Sequence, residues 1–258
     1  MRMIILAAGQ GSRLRPLTDD RPKCLVELAG KRLLQWQIEA ARAAGIRDVM
    51  VIGGYRHEQL GGYGIPVLVN ENFATTNMVR TLFCAREHFG DGFVMSYGDI
   101  VYSPLLLRAL LKSDADISVV VDRQWRSYWA QRFDNPLSDA ETLKLDGDGR
   151  ITEIGQKPKS YDDIMAQYVG LVGFRGAGVA ALTAAYEAAE AADKTGATPF
   201  GGPRSLDKLY MTDLLQGLIA GGTPLQAVLV DRGWVEIDSP RDLEVAEAVA
   251  STGALVAA

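Results

Sequence analysis

Apolar residues come along this chain in two alternating patterns. Short, largely apolar runs occur at Met3 to Leu6, Val49 to Ile52, Val67 to Val69, Phe93 to Ser96 and Ile117 to Val121. An apolar run without polar alternation is the pattern of a strand covered on both faces. Between the runs, apolar residues recur every three or four positions. This spacing predicts helices over Leu33 to Ala44, stopped by Gly45, and over Thr76 to Phe89, with Thr75 or Thr76 as N-cap.

The alternation predicts an α/β fold with a Rossmann-like, mostly parallel (mixed) sheet flanked by helices. In such sheets the ligand groups sit at the carboxyl ends of the strands. Beyond Gln124 the pattern changes. Trp125, Trp129 and Phe133 fall in a polar, charged stretch. Thr142 to Leu145 and Arg150 to Ile154, around Asp146-Gly147-Asp148-Gly149, read as a hairpin. Tyr168 to Phe174 and Leu225 to Val230 read as strands, and Lys194 to Arg204 as a Gly/Thr/Pro loop. Val179 to Ala192, Tyr210 to Ala220 and Ser239 to Ala250 read as helices. The last opens with an N-cap, a proline at N1 and an acid at N3 (Ser239, Pro240, Asp242). A small β-rich region is therefore expected within the later part of one α/β domain.

Composition narrows the chemistry. The chain has 258 residues and a net charge of −5, from 27 Lys and Arg against 32 Asp and Glu. That length buries a large core, about 70–75% of the unfolded surface. The acidic balance argues against a nucleic-acid partner, but a few placed cations suffice for a small anion. Two Cys (Cys24, Cys84) and two His (His57, His88) leave little room for a disulfide framework or a Cys/His metal site. The apolar start, Met3 to Ala8, is too short for a signal peptide, and no run is long enough to span a bilayer. A cytoplasmic protein without a membrane partner is expected.

The most specific stretch is Leu6-Ala7-Ala8-Gly9-Gln10-Gly11-Ser12-Arg13-Leu14, followed by Pro16-Leu17-Thr18 and Arg21-Pro22-Lys23-Cys24-Leu25. A glycine loop after the first strand lets backbone amides approach phosphates, while Arg13 and Lys23 supply positive charge. A dinucleotide fingerprint would need a third glycine where Leu14 stands, and an acid where Gly53-Gly54 close the second strand. A Walker A sequence is absent. A plain turn with surface cations fits the two glycines taken alone.

Together these segments resemble the signature of the nucleotidyltransferases that activate sugar phosphates and related phosphate compounds. The resemblance implies an NTP triphosphate on the loop from Gly9 to Arg13, with Lys23 at the phosphates of donor and acceptor. Nucleotide contacts are then expected at Leu6, Ala7, Ala8, Gly9, Gly11, Ser12, Arg13, Gly54, Asn77 and Gly98, and catalytic roles at Lys23 and Arg13. The usual Lys-Pro-Leu of the family is here Lys23-Cys24-Leu25.

Asp99 follows the fourth apolar run in Tyr97-Gly98-Asp99, where a carboxylate near a triphosphate is suited to hold Mg²⁺. Glu236 and Asp238, in Trp234-Val235-Glu236-Ile237-Asp238, fall on one side of a strand and repel unless a cation lies between them. Asp238 can also cap the last helix, a role that Ser239 could fill instead. The resemblance implies Asp99 and one or both late acids as Mg²⁺ ligands, and Trp-x-Glu-Ile-Asp looks most like the phosphocholine cytidylyltransferase branch.

Asn72 to Met78 resembles the Thr-Asn-Asn segment of cytidylyltransferases for phosphocholine or aminoethylphosphonate, with Met78 in place of the second Asn. Asn77 is then the residue that reads cytosine. In the middle of the chain, Trp125, Trp129 and Tyr168 offer an aromatic wall for a cationic head group, or plain packing. Arg132, Glu141 or Asp139, and Lys157 are further candidates for the acceptor, Lys157-Pro158 resembling a Glu-Lys-Pro motif.

The resemblance implies an Mg²⁺-dependent transfer of CMP from CTP to a small phosphonate or phosphate, with release of pyrophosphate. A sugar-1-phosphate uridylyl- or thymidylyltransferase is the alternative within the chemistry, and a non-catalytic nucleotide-binding module the alternative outside it. Residues 1–250 then form one domain, with 1–122 mainly for nucleotide and 123–235 mainly for acceptor. Residues 236–250 carry the late acids and the closing helix, and 251–258 form a tail.

Overall fold

The computed structural model describes residues 1–256. In chain order the strands are β1 (Arg2–Ala7), β2 (Glu27–Leu28), β3 (Lys31–Arg32), β4 (Val49–Gly53), β5 (Val67–Val69), β6 (Gly92–Tyr97), β7 (Ile100–Tyr102), β8 (Ile117–Asp122), β9 (Leu143–Leu145), β10 (Ile151–Ile154), β11 (Gln167–Arg175), β12 (Gln226–Val230) and β13 (Trp234–Glu236). The α-helices are α1 (Leu33–Ala43), α2 (Met78–Phe83), α3 (Pro104–Lys112), α4 (Trp125–Arg132), α5 (Ala177–Lys194), α6 (Met211–Ala220) and α7 (Pro240–Ser251).

Seven strands make the central sheet, in the order β12-β8-β11-β6-β1-β4-β5. Only β11 runs antiparallel to its neighbours. The α/β expectation is thus met. β1 lies at its heart, with Met3 against Val49 on one side and Val94 on the other. Successive residues of β1 serve opposite layers, as a period of two requires. Met3 and Ile5 pack with the residues of α1 and α3, Ile4 and Leu6 with those of α2, α5 and α6. Met3, Ile4 and Ile5 are fully buried, and each contributes roughly 1.5–3 kcal/mol of transfer free energy.

The hairpin of β9 and β10 forms as expected, and the Asp146 carboxylate accepts the amides of Asp148 and Arg150 across its turn. Ser239 caps α7 and Asp242 completes a capping box. Three helices differ from expectation. α2 begins at Met78 and ends at Phe83, because the next amide, of Cys84, turns to the carbonyl three residues back and the chain continues in a 3-10 turn. The polar stretch after Gln124 is a helix, α4, whose buried residues Trp125, Tyr128, Trp129 and Arg132 fall on one face. α3, capped by Ser103 with Pro104 at N1, was not anticipated. Among the described residues no helix is long and apolar enough to cross a membrane.

β1, β4 and β6 end side by side, so the loops that begin at Ala8, Gly54 and Gly98 open on one edge of the sheet. A separate ladder of β7 and β13 pairs Ile100 with Glu236. It brings the end of the chain to the loop after β6.

Candidate active site

The loop after β1 folds back on the segment that carries Lys23. Gly11 has φ 64°, and a Cβ there would stand 2.9 Å from Lys23 Cβ. Both the backbone conformation and the close approach therefore require glycine. The buried Thr18 hydroxyl donates to the Gly11 carbonyl at 2.8 Å and fixes the fold of the loop. At Gly98 a Cβ would lie 2.7 Å from the Leu6 carbonyl oxygen, so the ends of β1 and β6 can meet there. Leu6, Ala7, Gly9, Gly11, Ser12, Arg13, Lys23 and Gly98 line a cavity of about 260 Å³, together with Asp99 and Asp238.

Backbone pairing assembles the three acids. β7 and β13 run antiparallel, and the Ile237 amide donates to the Asp99 carbonyl at 3.0 Å. Carboxylate oxygens of Asp99, Glu236 and Asp238 come within 4.8 Å of one another. Lys23 Nζ lies 2.7 Å from Asp99 Oδ2 and also donates to Asp238, whose other oxygen takes the Arg13 guanidinium. Burial works against the Lys23 ammonium, but Asp99 and Asp238 more than offset it, so its pKa rises. Burial likewise pushes the Asp238 carboxyl up, and Lys23 and Arg13 overcome this and hold it below the usual range. Glu236 ends above the usual range through burial, which Arg132 opposes and Asp238 and Asp99 reinforce. Asp99 Oδ1 is buried without a hydrogen-bond partner. An orphaned carboxylate oxygen within an all-oxygen donor set fits a hard divalent cation such as Mg²⁺.

A second cavity, of about 290 Å³, shares Arg13, Asp99 and Asp238 with the first. Trp129, Asp139, Glu141, Gln167, Tyr168 and Thr212 line its far part. Burial pushes the Glu141 carboxyl up to about 7, with Asp213 and Asp139 adding to the rise. Gln167 holds the backbone of Glu141 from both sides: its carbonyl accepts the Glu141 amide at 3.2 Å and its amide donates to the Glu141 carbonyl. The Trp129 indole donates to Asp139 at 3.0 Å. A third cavity, of about 170 Å³, is lined by Ala8, Phe73, Asn77, Met78, Thr81 and Gly98, and again reaches Asp99. The Asn77 side-chain amide donates to the Lys208 carbonyl at 2.9 Å.

Four candidates stand elsewhere than expected. Arg132 is buried behind the acids, bridging Glu236 and Asp242, and lines none of these cavities. Trp125 is buried and packs edge-on against Trp129, so it is core and not wall. Lys157 donates to the carbonyls of Leu137 and Ser138 at 2.7 and 2.9 Å, away from the cavities. Gly54 lies under the loop: a Cβ there would stand 2.7 Å from the Ala8 carbonyl oxygen. Tyr97, Gln167, Thr212 and Asp242 are the additions. Asp242 had a sequence signal, as the acid at N3 of the last helix.

This sheet, with a glycine loop at the end of its first strand, is the fold of a nucleotidyltransferase. The chain belongs to the MobA-like NTP transferase domain family, which matches residues 3–190. It is 39% identical over 256 residues to the CTP:phosphoglutamine cytidylyltransferase of Campylobacter jejuni, covering 95% of this chain and 98% of that one. It is 34% identical over 117 residues to the choline-phosphate cytidylyltransferase of Streptococcus pneumoniae, covering 44% and 51%. Among solved structures, the CTP:phosphocholine cytidylyltransferase from Streptococcus pneumoniae superposes with a TM-score of 0.73 at 22% identity, over 96% of this chain and 98% of that one. The inositol-1-phosphate CTP transferase from T. maritima does so with a TM-score of 0.71 at 20% identity, over 100% and 98%. Both support the fold.

Proposed function

We propose that this nucleotidyltransferase transfers CMP from CTP to a small phosphate or phosphonate that carries a positively charged amine, with release of pyrophosphate. The observation that carries this reading is the meeting of three cavities at Asp99, with Lys23 and Arg13 against the same acids. The glycine-loop cavity suits a triphosphate, and the cavity beside Asn77 suits the base. The Glu141 cavity suits the acceptor. Residues 1–122 would then mainly hold the nucleotide and 123–235 mainly the acceptor, with 236–250 closing the site.

The acceptor oxygen attacks the α-phosphorus as the bond to the pyrophosphate breaks. No covalent intermediate on the chain is needed, so catalysis is positioning and charge neutralisation. Arg13 holds the outer phosphates, and Lys23 offsets charge on the α-phosphate and the acceptor. Asp99, Glu236 and Asp238 would hold Mg²⁺, which supplies charge neutralisation for the transferred group. Asn77 reads the cytosine edge through its amide.

At the far end, Glu141 and Asp139 pair with the amine. Acids packed together under partial burial repel, and an ammonium group between them relieves that cost. Trp129 and Tyr168 flank the same space. The relatives named as acting on phosphocholine and phosphoglutamine agree with an acceptor of this size.

A matrix of CTP, UTP, dTTP, ATP and GTP against phosphocholine, aminoethylphosphonate, amino-acid phosphates and glucose-1-phosphate, with Mg²⁺ and a pyrophosphate readout, tests the reading. CTP with an amine-bearing acceptor is the expected pair. Preference for UTP or dTTP with glucose-1-phosphate overturns it.

A further inference from the structure

Arg132 touches neither the loop cavity nor the acceptor cavity, yet it is the most enclosed cation near the acids. Its side chain is 1% exposed. Nη1 lies 2.7 Å from Glu236 Oε2, and Nε donates to Asp242 Oδ1 at 2.7 Å. The rings of Tyr128, Trp129 and Phe133 lie 5.1 to 5.2 Å from the guanidinium.

The far end of this bridge is tied to the chain that carries the acids. Asp242 Oδ2 accepts the amides of Asp238 and Ser239 at 3.1 and 2.8 Å, and the Ser239 hydroxyl at 2.9 Å. The Tyr128 hydroxyl oxygen accepts the Glu236 amide at 2.7 Å, and the Ile237 amide donates to the Asp99 carbonyl. Three successive amides, 236 to 238, thus have three separate anchors. Backbone alone leaves the Glu236 side chain free to turn. Arg132 limits that freedom: its guanidinium is fixed by the hydrogen bond to Asp242 and holds one Glu236 oxygen beside it as an ion pair, without a hydrogen bond from Nη1. A buried ion network adds little net stability over an apolar packing of the same shape. Its benefit here is geometric.

We propose that Arg132 is a positioning residue: bridged to Asp242, it holds Glu236 where it can bind a divalent cation together with Asp99 and Asp238. With Oε2 committed to Arg132, Oε1 is the oxygen left for the cation. The proposal rests on the reading of these three acids as cation ligands.

The test uses the full chain and Mn²⁺ alone, with free Mn²⁺ read by electron paramagnetic resonance and folding by circular dichroism. Arg132→Met should raise the Mn²⁺ Kd about ten-fold or more, the usual loss when an outer partner of a ligand is removed. Arg132→Lys keeps the charge but has a single nitrogen in place of the two that meet Asp242 and Glu236, and should recover only part of the affinity. Asp242→Asn cuts the far end of the bridge and decides the matter if Arg132→Met does not fold. It should weaken Mn²⁺ binding several-fold. In turnover, Arg132→Met and Asp242→Asn should each raise the Mg²⁺ requirement and leave the acceptor KM unchanged. Folded variants that bind Mn²⁺ with the wild-type Kd overturn the positioning role. Asp99→Asn separates the two claims: if it binds Mn²⁺ as the wild type does, or if the wild type binds none, the cation site itself falls and the proposal with it.

Discussion

At the end of the cleft proposed to take the triphosphate, Gly9 to Arg13 are contiguous and their loop is set by the end of β1. At the end proposed to take the acceptor, Trp129 comes from α4, Glu141 from the loop before β9, Gln167 from β11 and Thr212 from α6. The charges differ as well. Lys23 and Arg13 face paired acids at the phosphate end. At the acceptor end Glu141 lies close to Asp139 and Asp213, and burial leaves its carboxyl near neutrality. A phosphate-handling site has one chemistry to serve and can be written as a short motif. An acceptor site takes its shape from whatever the fold brings within reach.

That contrast can be broken at either end. The largest effect is expected at Lys23. Lys23→Ala should lower turnover by about 10²- to 10³-fold, the size of loss when one group aimed at transition-state charge is removed, with an unchanged circular dichroism spectrum. Near-normal pyrophosphate release from this variant would remove Lys23 from the chemistry.

A smaller and more selective effect is expected at Glu141. Glu141→Gln should raise the KM for an amine-bearing acceptor about ten-fold or more, as for loss of one charged hydrogen bond, and leave the CTP KM alone. An equal change in both would contradict the division between the two ends.

Glu141 also gives a dependence on pH. Its carboxyl, raised to about 7 in the folded chain, titrates near 4.3 when unfolded. Between these values the folded state binds more protons, so stability falls as pH rises through the window and the penalty is complete above it. Urea unfolding should therefore find Glu141→Gln more stable than wild type at pH 8, by on the order of 2 kcal/mol, and not at pH 4. Equal gaps at both pH values would show that the substitution acts through something other than ionisation. The acceptor KM of the wild type should rise as pH falls below about 7, and that of the variant should not.

The least effect is expected at Lys157, whose ammonium is held by two carbonyls. Lys157→Ala should leave the acceptor KM within about two-fold, as for most surface substitutions.

Much of this was legible in the chain before folding. Apolar runs mark β1, β4, β5, β6 and β8 because a strand covered on both faces needs no polar alternation. The glycine loop was legible because its residues are neighbours and because Gly11 has no substitute. The three acids were found one by one, Asp99 from its place after a strand and the late pair from its spacing. What brings them together, the β7–β13 ladder and the Ile237 amide on the Asp99 carbonyl, joins distant segments and leaves no local trace. Arg132 shows a different limit. Trp125, Tyr128, Trp129 and Arg132 have helical spacing, and counting that period would have revealed α4. The charged residues around them mask it, and an arginine in a polar stretch suggests a ligand contact where the structure holds Arg132 between Glu236 and Asp242.

The central claim is that nucleotide and acceptor meet at Asp99 and react there directly. Phosphorus NMR of the protein with CTP, Mg²⁺ and phosphocholine or aminoethylphosphonate tests it in one tube. The account predicts pyrophosphate and a cytidine-linked diphosphate or phosphonate–phosphate product rising together in equal amounts, and neither with Asp99→Asn. Release of CMP or inorganic phosphate without that product, or the same product from Asp99→Asn, would contradict it.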